Sequence, residues 1–165
     1  LVVTAPSHAS ADGLHCLAKS APATPYKITV GFLAQDPLYL NAWNVPQFGV
    51  CWRESSSGKL LTYGWGSSNY PKLFLYAWWT NETTLQGSQY NFSAPTMAPY
   101  WVRFGDDGTY RTVEVSSDGF NWVPVQPPQG RTVFLTPNQI GLFANNWKTS
   151  YGIPRVVSVL HWRET

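Results

Sequence analysis

The amino-acid sequence predicts an all-β domain of two packed antiparallel sheets, and three observations lead to this fold class. Apolar and polar residues alternate with a period of two in one segment after another, which is the spacing of strands with one buried face. Aromatic residues make up 16% of the chain and charged residues 12%, and 13 glycines and 13 prolines are spread along it. Such a composition is typical of many short strands separated by turns. No long window carries the spacing of an amphipathic helix.

The predicted strands follow one another along the whole chain. The first clear one covers residues 26–33, where four apolar side chains share one face: Tyr26, Ile28, Val30 and Phe32. Further strands are predicted over residues 48–52, 60–65, 72–79, 100–104, 110–116, 121–125, 140–145 and 156–162. With the strand-like start of the chain this makes about ten or eleven strands, which must pair antiparallel because no crossover helices separate them. We expect a single domain over residues 1–165, with one short helical turn at 136–139.

Two tight turns are the strongest local signals. Asp106-Asp107-Gly108 and Asp118-Gly119 each place an acidic residue before a glycine, which readily takes the positive φ of a hairpin turn. Between these turns, Glu114 is predicted on a solvated sheet face, since it alternates with Tyr110 and Thr112. We expect the Arg103 guanidinium to stack on an aromatic ring or to pair with a carboxylate. Trp122 is expected to return into the core.

Charge and hydropathy exclude several classes of partner. The formal net charge is +2 and the basic residues form no run, so nucleic-acid binding is not expected. No apolar stretch approaches the ~20 residues that span a bilayer, so membrane insertion is not expected. Because the first residue is Leu1, we expect a processed product or a piece of a longer chain. Cys16 and Cys51 are either one disulfide or two buried thiols, and the sequence leaves both open.

The sequence predicts no catalytic residue. A retaining glycosidase needs two facing carboxylates, and none of the four glutamates has a second acid at the spacing that would bring the two together on one strand. The three histidines accompany no Gly-x-Ser-x-Gly elbow, and no cluster of Cys and His has zinc-ligand spacing. No cofactor is expected. A structural calcium ion is conceivable at Asp106 and Asp107, although the hairpin turn explains this pair more simply.

The aromatic excess suggests a binding surface. Exposed Trp and Tyr rings stack on the apolar faces of sugars, while amide groups bond the hydroxyls. Three segments could supply such a surface, and the candidate residues for carbohydrate or partner binding are Trp43, Trp65, Tyr70, Trp78, Trp79, Asn145 and Trp147. Neighbours in a strand face opposite sides, so at least one of Trp78 and Trp79 should lie outside the core. Contact with another protein explains the same aromatics equally well.

The C-terminal half carries a resemblance to a known family. A Trp-x-Arg strand (Trp101 to Arg103), a Ser-x-Asp-Gly-x-x-Trp hairpin (Ser116 to Trp122) and an Ile-Gly-Leu strand (Ile140 to Leu142) follow in order. This succession resembles the concanavalin A-like jelly rolls of the laminin-G-like branch, and is most similar to those of bacteriophage virion proteins. The resemblance covers about two-thirds of the chain and is specific for fold, since this fold hosts many functions.

The resemblance implies a jelly-roll sandwich with a structural or adhesive role on a phage particle, as a capsid decoration, fibre or tail component. The expected partners are cell-surface or polysaccharide glycans, or other virion proteins. The resemblance also implies a homo-oligomer, with a trimer as the expected state, at the virion surface. The alternative is an extracellular carbohydrate-binding module cut from a secreted glycoside hydrolase.

Overall fold

The computed structural model describes residues 1–6, 14–34, 46–68, 70–93, 100–146 and 155–165. For strand residues 46–47, 67–68, 70–75, 88–93, 146 and 155 it describes the backbone alone. These residues form thirteen strands and no helix. In chain order they are β1 (Val2–Ala5), β2 (Leu14–Ser20), β3 (Tyr26–Ala34), β4 (Pro46–Arg53), β5 (Leu60–Ser68), β6 (Tyr70–Asn81), β7 (Thr84–Ser93), β8 (Tyr100–Asp106), β9 (Tyr110–Ser116), β10 (Val123–Pro124), β11 (Gln129–Gly130), β12 (Gln139–Asn146) and β13 (Arg155–Glu164). The described part of the chain therefore offers no helix that could cross a membrane.

The strands form two antiparallel sheets. One has seven strands in the order β1-β13-β3-β8-β9-β10, with β11 also paired to β9, and the other has six in the order β2-β12-β4-β5-β6-β7. In each sheet a strand from the end of the chain lies between two from its beginning: β13 lies between β1 and β3, and β12 lies between β2 and β4. These pairings join segments that are distant in sequence. The all-β class and the two-sheet jelly roll predicted from the sequence are confirmed.

Alternation builds the core between the sheets. Ile28, Val30 and Phe32 of β3 are all at most 1% exposed, as their common face in the sequence predicts. Aromatic rings fill the opposite side, where Phe48 and Trp65 stack with their ring centroids 5.8 Å apart. Each fully buried side chain of this size stabilises the fold by about 1.5–3 kcal/mol, so this interior is the main source of stability.

A second apolar cluster lies on the far face of the six-stranded sheet, the side turned away from the seven-stranded sheet. Its buried members are Leu14, Cys51, Leu60, Ala77, Trp79 and Phe143. Cys16 and Cys51 are free thiols with their sulfur atoms 3.1 Å apart. They lie on β2 and β4, which flank β12, where Cys16 pairs with Phe143 and Cys51 pairs with Gly141. The thiol hydrogen bond to Cys16, together with burial, raises the pKa of Cys51.

Three details differ from the sequence prediction. Strands β7 and β11 were not among the predicted segments, and the strand predicted over 121–125 is only Val123–Pro124. The helical turn at 136–139 is wrong, because Gln139 already begins β12. The backbone N–H of Thr136 donates to Glu54 and that of Asn138 to the Arg53 carbonyl, so bonds to the β4–β5 turn replace helical ones.

Candidate functional site

Three of the sequence-predicted site residues are buried. Trp65 is 0% exposed between the sheets. Trp79 is also 0% exposed, within the second cluster, and its indole N–H donates to Thr62 Oγ1 at 3.0 Å. Asn145 is 1% exposed on the same side of the six-stranded sheet. In this structure none of the three side chains presents a surface on which a ligand could stack.

Of the other four predicted site residues, only the side chain of Trp78 is described. Trp78 is half-buried at the rim of the interior, tilted against Tyr76 with the ring centroids 5.2 Å apart. Trp78 and Trp79 therefore face opposite sides, as expected. Tyr70 begins β6, but its side chain is outside the described residues, as are Trp43 and Trp147 altogether. Their roles stay predictions.

The strand register nevertheless brings together the described strand ends next to these residues. Pro46 at the start of β4 pairs with Asn146 at the end of β12, and Ser68 at the end of β5 pairs with Tyr70. Gln47 pairs with Gly66, so β4 and β5 meet at the same end. The described strand ends nearest in sequence to Trp43, Tyr70 and Trp147 thus lie at one end of the six-stranded sheet.

An exposed polar and aromatic surface lies elsewhere, on the seven-stranded sheet. We call its side turned away from the six-stranded sheet the outer face. It carries Lys27, Thr29, Trp101, Arg103, Thr112, Glu114, His161 and Arg163. In β8 the inward residues Tyr100, Val102 and Phe104 are buried, so Trp101 and Arg103 between them point outward.

Two indoles are fixed on the outer face. Trp101 lies over Gly31, where a Cβ atom would come within 2.8 Å of the ring, and its centroid is 5.4 Å from that of His161. The Arg103 guanidinium stacks 4.4 Å from the centre of the Trp122 ring, and its Nε donates to Glu114 at 2.8 Å. Both contacts expected for Arg103 are confirmed, as is the outward position of Glu114. The prediction that Trp122 returns into the core is wrong, because the ring covers Arg103 instead.

A pocket of about 410 Å³ opens at one end of the outer face. Its lining comprises Pro25, Tyr26, Lys27, Gly105, Asp106, Asp107, Tyr110, Thr112 and Thr165. Tyr110 is 49% exposed and supplies an aromatic ring. Gly105 lies between Lys27 and Thr112 in the sheet register and leaves the floor without a side chain. The volume suits a small ligand such as one or two sugar rings.

The acidic residues near this pocket serve the hairpin turn. Asp106 accepts from the Gly108 backbone N–H and from Arg131 Nε, both at 2.8 Å. Asp107 accepts from the backbone N–H groups of Tyr110 and Thr109, which lower its pKa. Gly108 has φ +96°, as the turn prediction requires. Among the residues that the structure describes, no group of three metal-ligating side chains occurs.

All four glutamates are held in local contacts. Glu114 pairs with Arg103, and Glu164 lies 2.5 Å from Lys19. Glu54 accepts from the Ser57 hydroxyl and the Thr136 N–H, both of which lower its pKa. The fourth, Glu82, lies 3.7 Å from Arg53 Nε. Each carboxylate therefore has a structural partner.

Comparisons with known proteins agree on the fold. No family model and no curated protein matches the chain. Among solved structures, a functionally unknown protein from Saccharomyces cerevisiae has 14% identity and a TM-score of 0.63, over 99% of this chain and 87% of that one. The GH43 protein BlXynB from Bacillus licheniformis has 12% identity and a TM-score of 0.63, and the match covers 91% of this chain but only 29% of the BlXynB chain. The CBM2 module of an evolved Dit from Lactobacillus casei BL23 phage J-1 has 11% identity and a TM-score of 0.52, and the match covers 97% of this chain and 73% of that one.

These likenesses show that the chain shares its fold with this CBM2 module and with a part of the GH43 protein. The sequence did not single out the outer face as a binding surface. The available signal was the alternation in residues 100–104, which puts Trp101 and Arg103 opposite the core residues. This alternation predicts which residues are buried, but it does not indicate which of the exposed residues bind a ligand.

Proposed function

We propose that this chain is a non-catalytic glycan-binding domain. The observation that carries the proposal is the outer face, where a pocket of sugar-ring size joins a sheet surface with two fixed indoles. Tyr110 offers a ring for the apolar face of a sugar, and the Thr112 hydroxyl and the Lys27 ammonium lie beside it to bond its hydroxyl groups. Rigid strands hold these groups, so little entropy is lost on binding.

The biological setting that we propose is the surface of a bacteriophage particle, as a capsid decoration, fibre or tail component. The likeness in fold to the phage Dit module supports this setting. Many copies on one particle would turn weak single contacts into firm attachment. A homo-oligomer, with a trimer as the expected state, and contact with other virion proteins belong to this proposal.

A second candidate is a carbohydrate-binding module of a secreted, extracellular glycoside hydrolase. The similarity to a GH43 protein favours it, because this chain corresponds to 29% of that protein, the size of one module. Both candidates bind glycans, and they differ in what the domain is attached to. Sequencing the genes on either side would separate them, since neighbouring capsid and tail genes support the first.

Binding is best tested on a glycan array with matched variants. We expect Tyr110→Ala to abolish or strongly reduce binding, because it removes the aromatic wall of the pocket. Phe120→Ala is the control, since Phe120 is 86% exposed and does not line the pocket. Trp43→Ala and Trp147→Ala test the surface predicted from the sequence. Circular dichroism checks that each variant is folded.

The outcomes separate the two surfaces. Loss of binding in Tyr110→Ala alone supports the pocket, whereas loss in Trp43→Ala or Trp147→Ala alone supports the loop surface and rejects the pocket. If the folded wild-type domain binds no glycan on the array or in polysaccharide pull-down, glycan binding is wrong. The aromatics are then better explained by contact with another protein.

A further inference from the structure

We infer that the outer face recognises an acidic glycan, one whose sugars carry carboxylate, phosphate or sulfate groups. This inference rests on the proposed glycan-binding function and concerns the same surface. Its basis is the imbalance of charge on that face. Among the described strand residues of the outer face, three cations, Lys27, Arg103 and Arg163, accompany one carboxylate, Glu114, and Asp107 adds a second carboxylate only at the pocket end.

The carboxylate within the strands, Glu114, is already engaged. Glu114 accepts from Arg103 Nε at 2.8 Å, and Lys27 Nζ lies 3.8 Å from the same oxygen. The Lys27 side chain is 48% exposed, so its ammonium is accessible to a ligand. Arg163 is exposed on β13, and no ion pair with another described residue holds it.

The register places the two available cations around one polar position. Arg163 is the direct cross-strand neighbour of Thr29, and Lys27 lies two residues from Thr29 on the same face of β3. An acidic group over Thr29 would therefore meet the Arg163 guanidinium on the neighbouring strand and the Lys27 ammonium further along β3, while Arg103, already paired with Glu114, lies on the opposite neighbouring strand.

The pocket end of the face orients the ligand. Asp107 lies there beside Tyr110, and its carboxylate keeps its negative charge because backbone N–H groups hold it. An acidic group is repelled from this corner, whereas a sugar ring can still stack on Tyr110. We therefore place the ring in the pocket and the acidic substituent toward Lys27 and Arg163. Neighbouring sugars of a polymer would extend along the sheet toward Trp101.

The test compares one polymer in two charge states. Polygalacturonate and its methyl ester share a backbone, and only the first carries free carboxylates. By isothermal titration we expect the wild-type domain to bind polygalacturonate at least tenfold more tightly than the ester, with a preference that weakens as salt is added. Lys27→Gln and Arg163→Gln should each lower affinity for the acid roughly two- to fivefold, the range for exposed ion pairs. Affinity for the ester should stay unchanged in Arg163→Gln, whereas Lys27→Gln should lower it as well, because Lys27 also bonds sugar hydroxyls in the pocket.

Matched controls complete the design. Lys19→Gln removes the same charge from β2 of the other sheet and should leave both affinities unchanged. A poly(glycerol phosphate) teichoic acid and dextran sulfate distinguish phosphate and sulfate from carboxylate as the preferred group. Double-stranded DNA serves as a polyanion without a glycan surface.

Equal affinity for the acid and the ester, or equal losses in Lys19→Gln and Arg163→Gln, would overturn the inference while leaving glycan binding intact. DNA binding as tight as that of the acidic polymers would also overturn it, because charge alone would then explain the result. Failure of the domain to bind any polysaccharide, charged or neutral, would instead reject the proposed function itself.

Discussion

The hydrogen bond between Trp79 and Thr62 predicts a large effect of a nearly isosteric change. Trp79 is 0% exposed and Thr62 is 1% exposed, and the indole N–H donates to the Thr62 hydroxyl at 3.0 Å. Thr62→Val keeps the shape of the side chain but removes this acceptor. A buried donor left without a partner costs about 1–3 kcal/mol, so we expect the substitution to lower the free energy of unfolding by about 2 kcal/mol.

The assay is thermal and urea unfolding of matched variants. A loss of about 2 kcal/mol corresponds to a fall in melting temperature of roughly 4–8 °C for a chain of this size. Thr62→Ser keeps the hydroxyl and loses one methyl group, so it should cost only about 1 kcal/mol. In a Trp79→Phe background, which has no N–H to satisfy, Thr62→Val should cost much less than in the wild type.

A result of less than about 0.5 kcal/mol for Thr62→Val, with no coupling to Trp79→Phe, would refute the reasoning. It would mean that the indole N–H reaches water or another acceptor, as a surface tryptophan would. This experiment therefore also decides how Trp79 is used. If the ring is buried, loss of glycan binding in Trp79→Ala reports unfolding and not a lost sugar contact.

Three further predictions follow from local contacts. Backbone N–H groups of its own turn lower the pKa of Asp118. The ionised carboxylate therefore stabilises the fold fully above the unfolded-state pKa of about 3.9, and this stabilisation is lost as the pH falls below that value. In acid the melting temperature should fall less steeply for Asp118→Asn than for the wild type, and parallel curves would contradict this. Gly31→Val should lower the melting temperature by displacing the Trp101 ring, which a Cβ would approach to 2.8 Å, whereas an unchanged value would place the indole elsewhere. Because burial and its bond to Cys16 raise the pKa of Cys51, iodoacetamide followed by peptide mass spectrometry should label Cys51 only after unfolding, and labelling in the native state would show it to be accessible.

The sequence predicted the sandwich well because its fold signals are local. Alternation marks the core face of β3, and the Asp-Gly pairs require a turn wherever they occur, as φ +96° at Gly108 and +79° at Gly119 show. Strand β7 was missed because Thr84–Ser93 mixes polar residues and glycine without clear alternation. It forms because the tight turn after Asn81 folds it back along the edge of β6, so pairing with β6, and not an alternating pattern of its own, makes it a strand.

Burial of the candidate site residues could not be predicted in the same way. Alternation tells that Trp78 and Trp79 face opposite sides, but it does not tell that other side chains bury the apolar side that carries Trp79. The sequence therefore assigned an exposed position to a ring that lies in the second cluster. Trp122 was misplaced for a related reason, since Arg103 offers its ring a stacking partner outside the core.

The strand register adds a spatial relation between the strand ends next to the remaining candidate residues. Trp43, Tyr70 and Trp147 come from three separate segments, and nothing in the sequence requires them to be neighbours. The pairing of Pro46 with Asn146, and of Ser68 with Tyr70, brings their strands to one end of the six-stranded sheet. The pocket beside Tyr26 lies at the other end of the sandwich, because Tyr26 bonds Trp52 near the end of β4 opposite to Pro46. The pocket and the strand ends at Pro46, Asn146 and Tyr70 are thus separated by the length of the strands, so we expect Tyr110→Ala to leave the backbone at those strand ends unchanged.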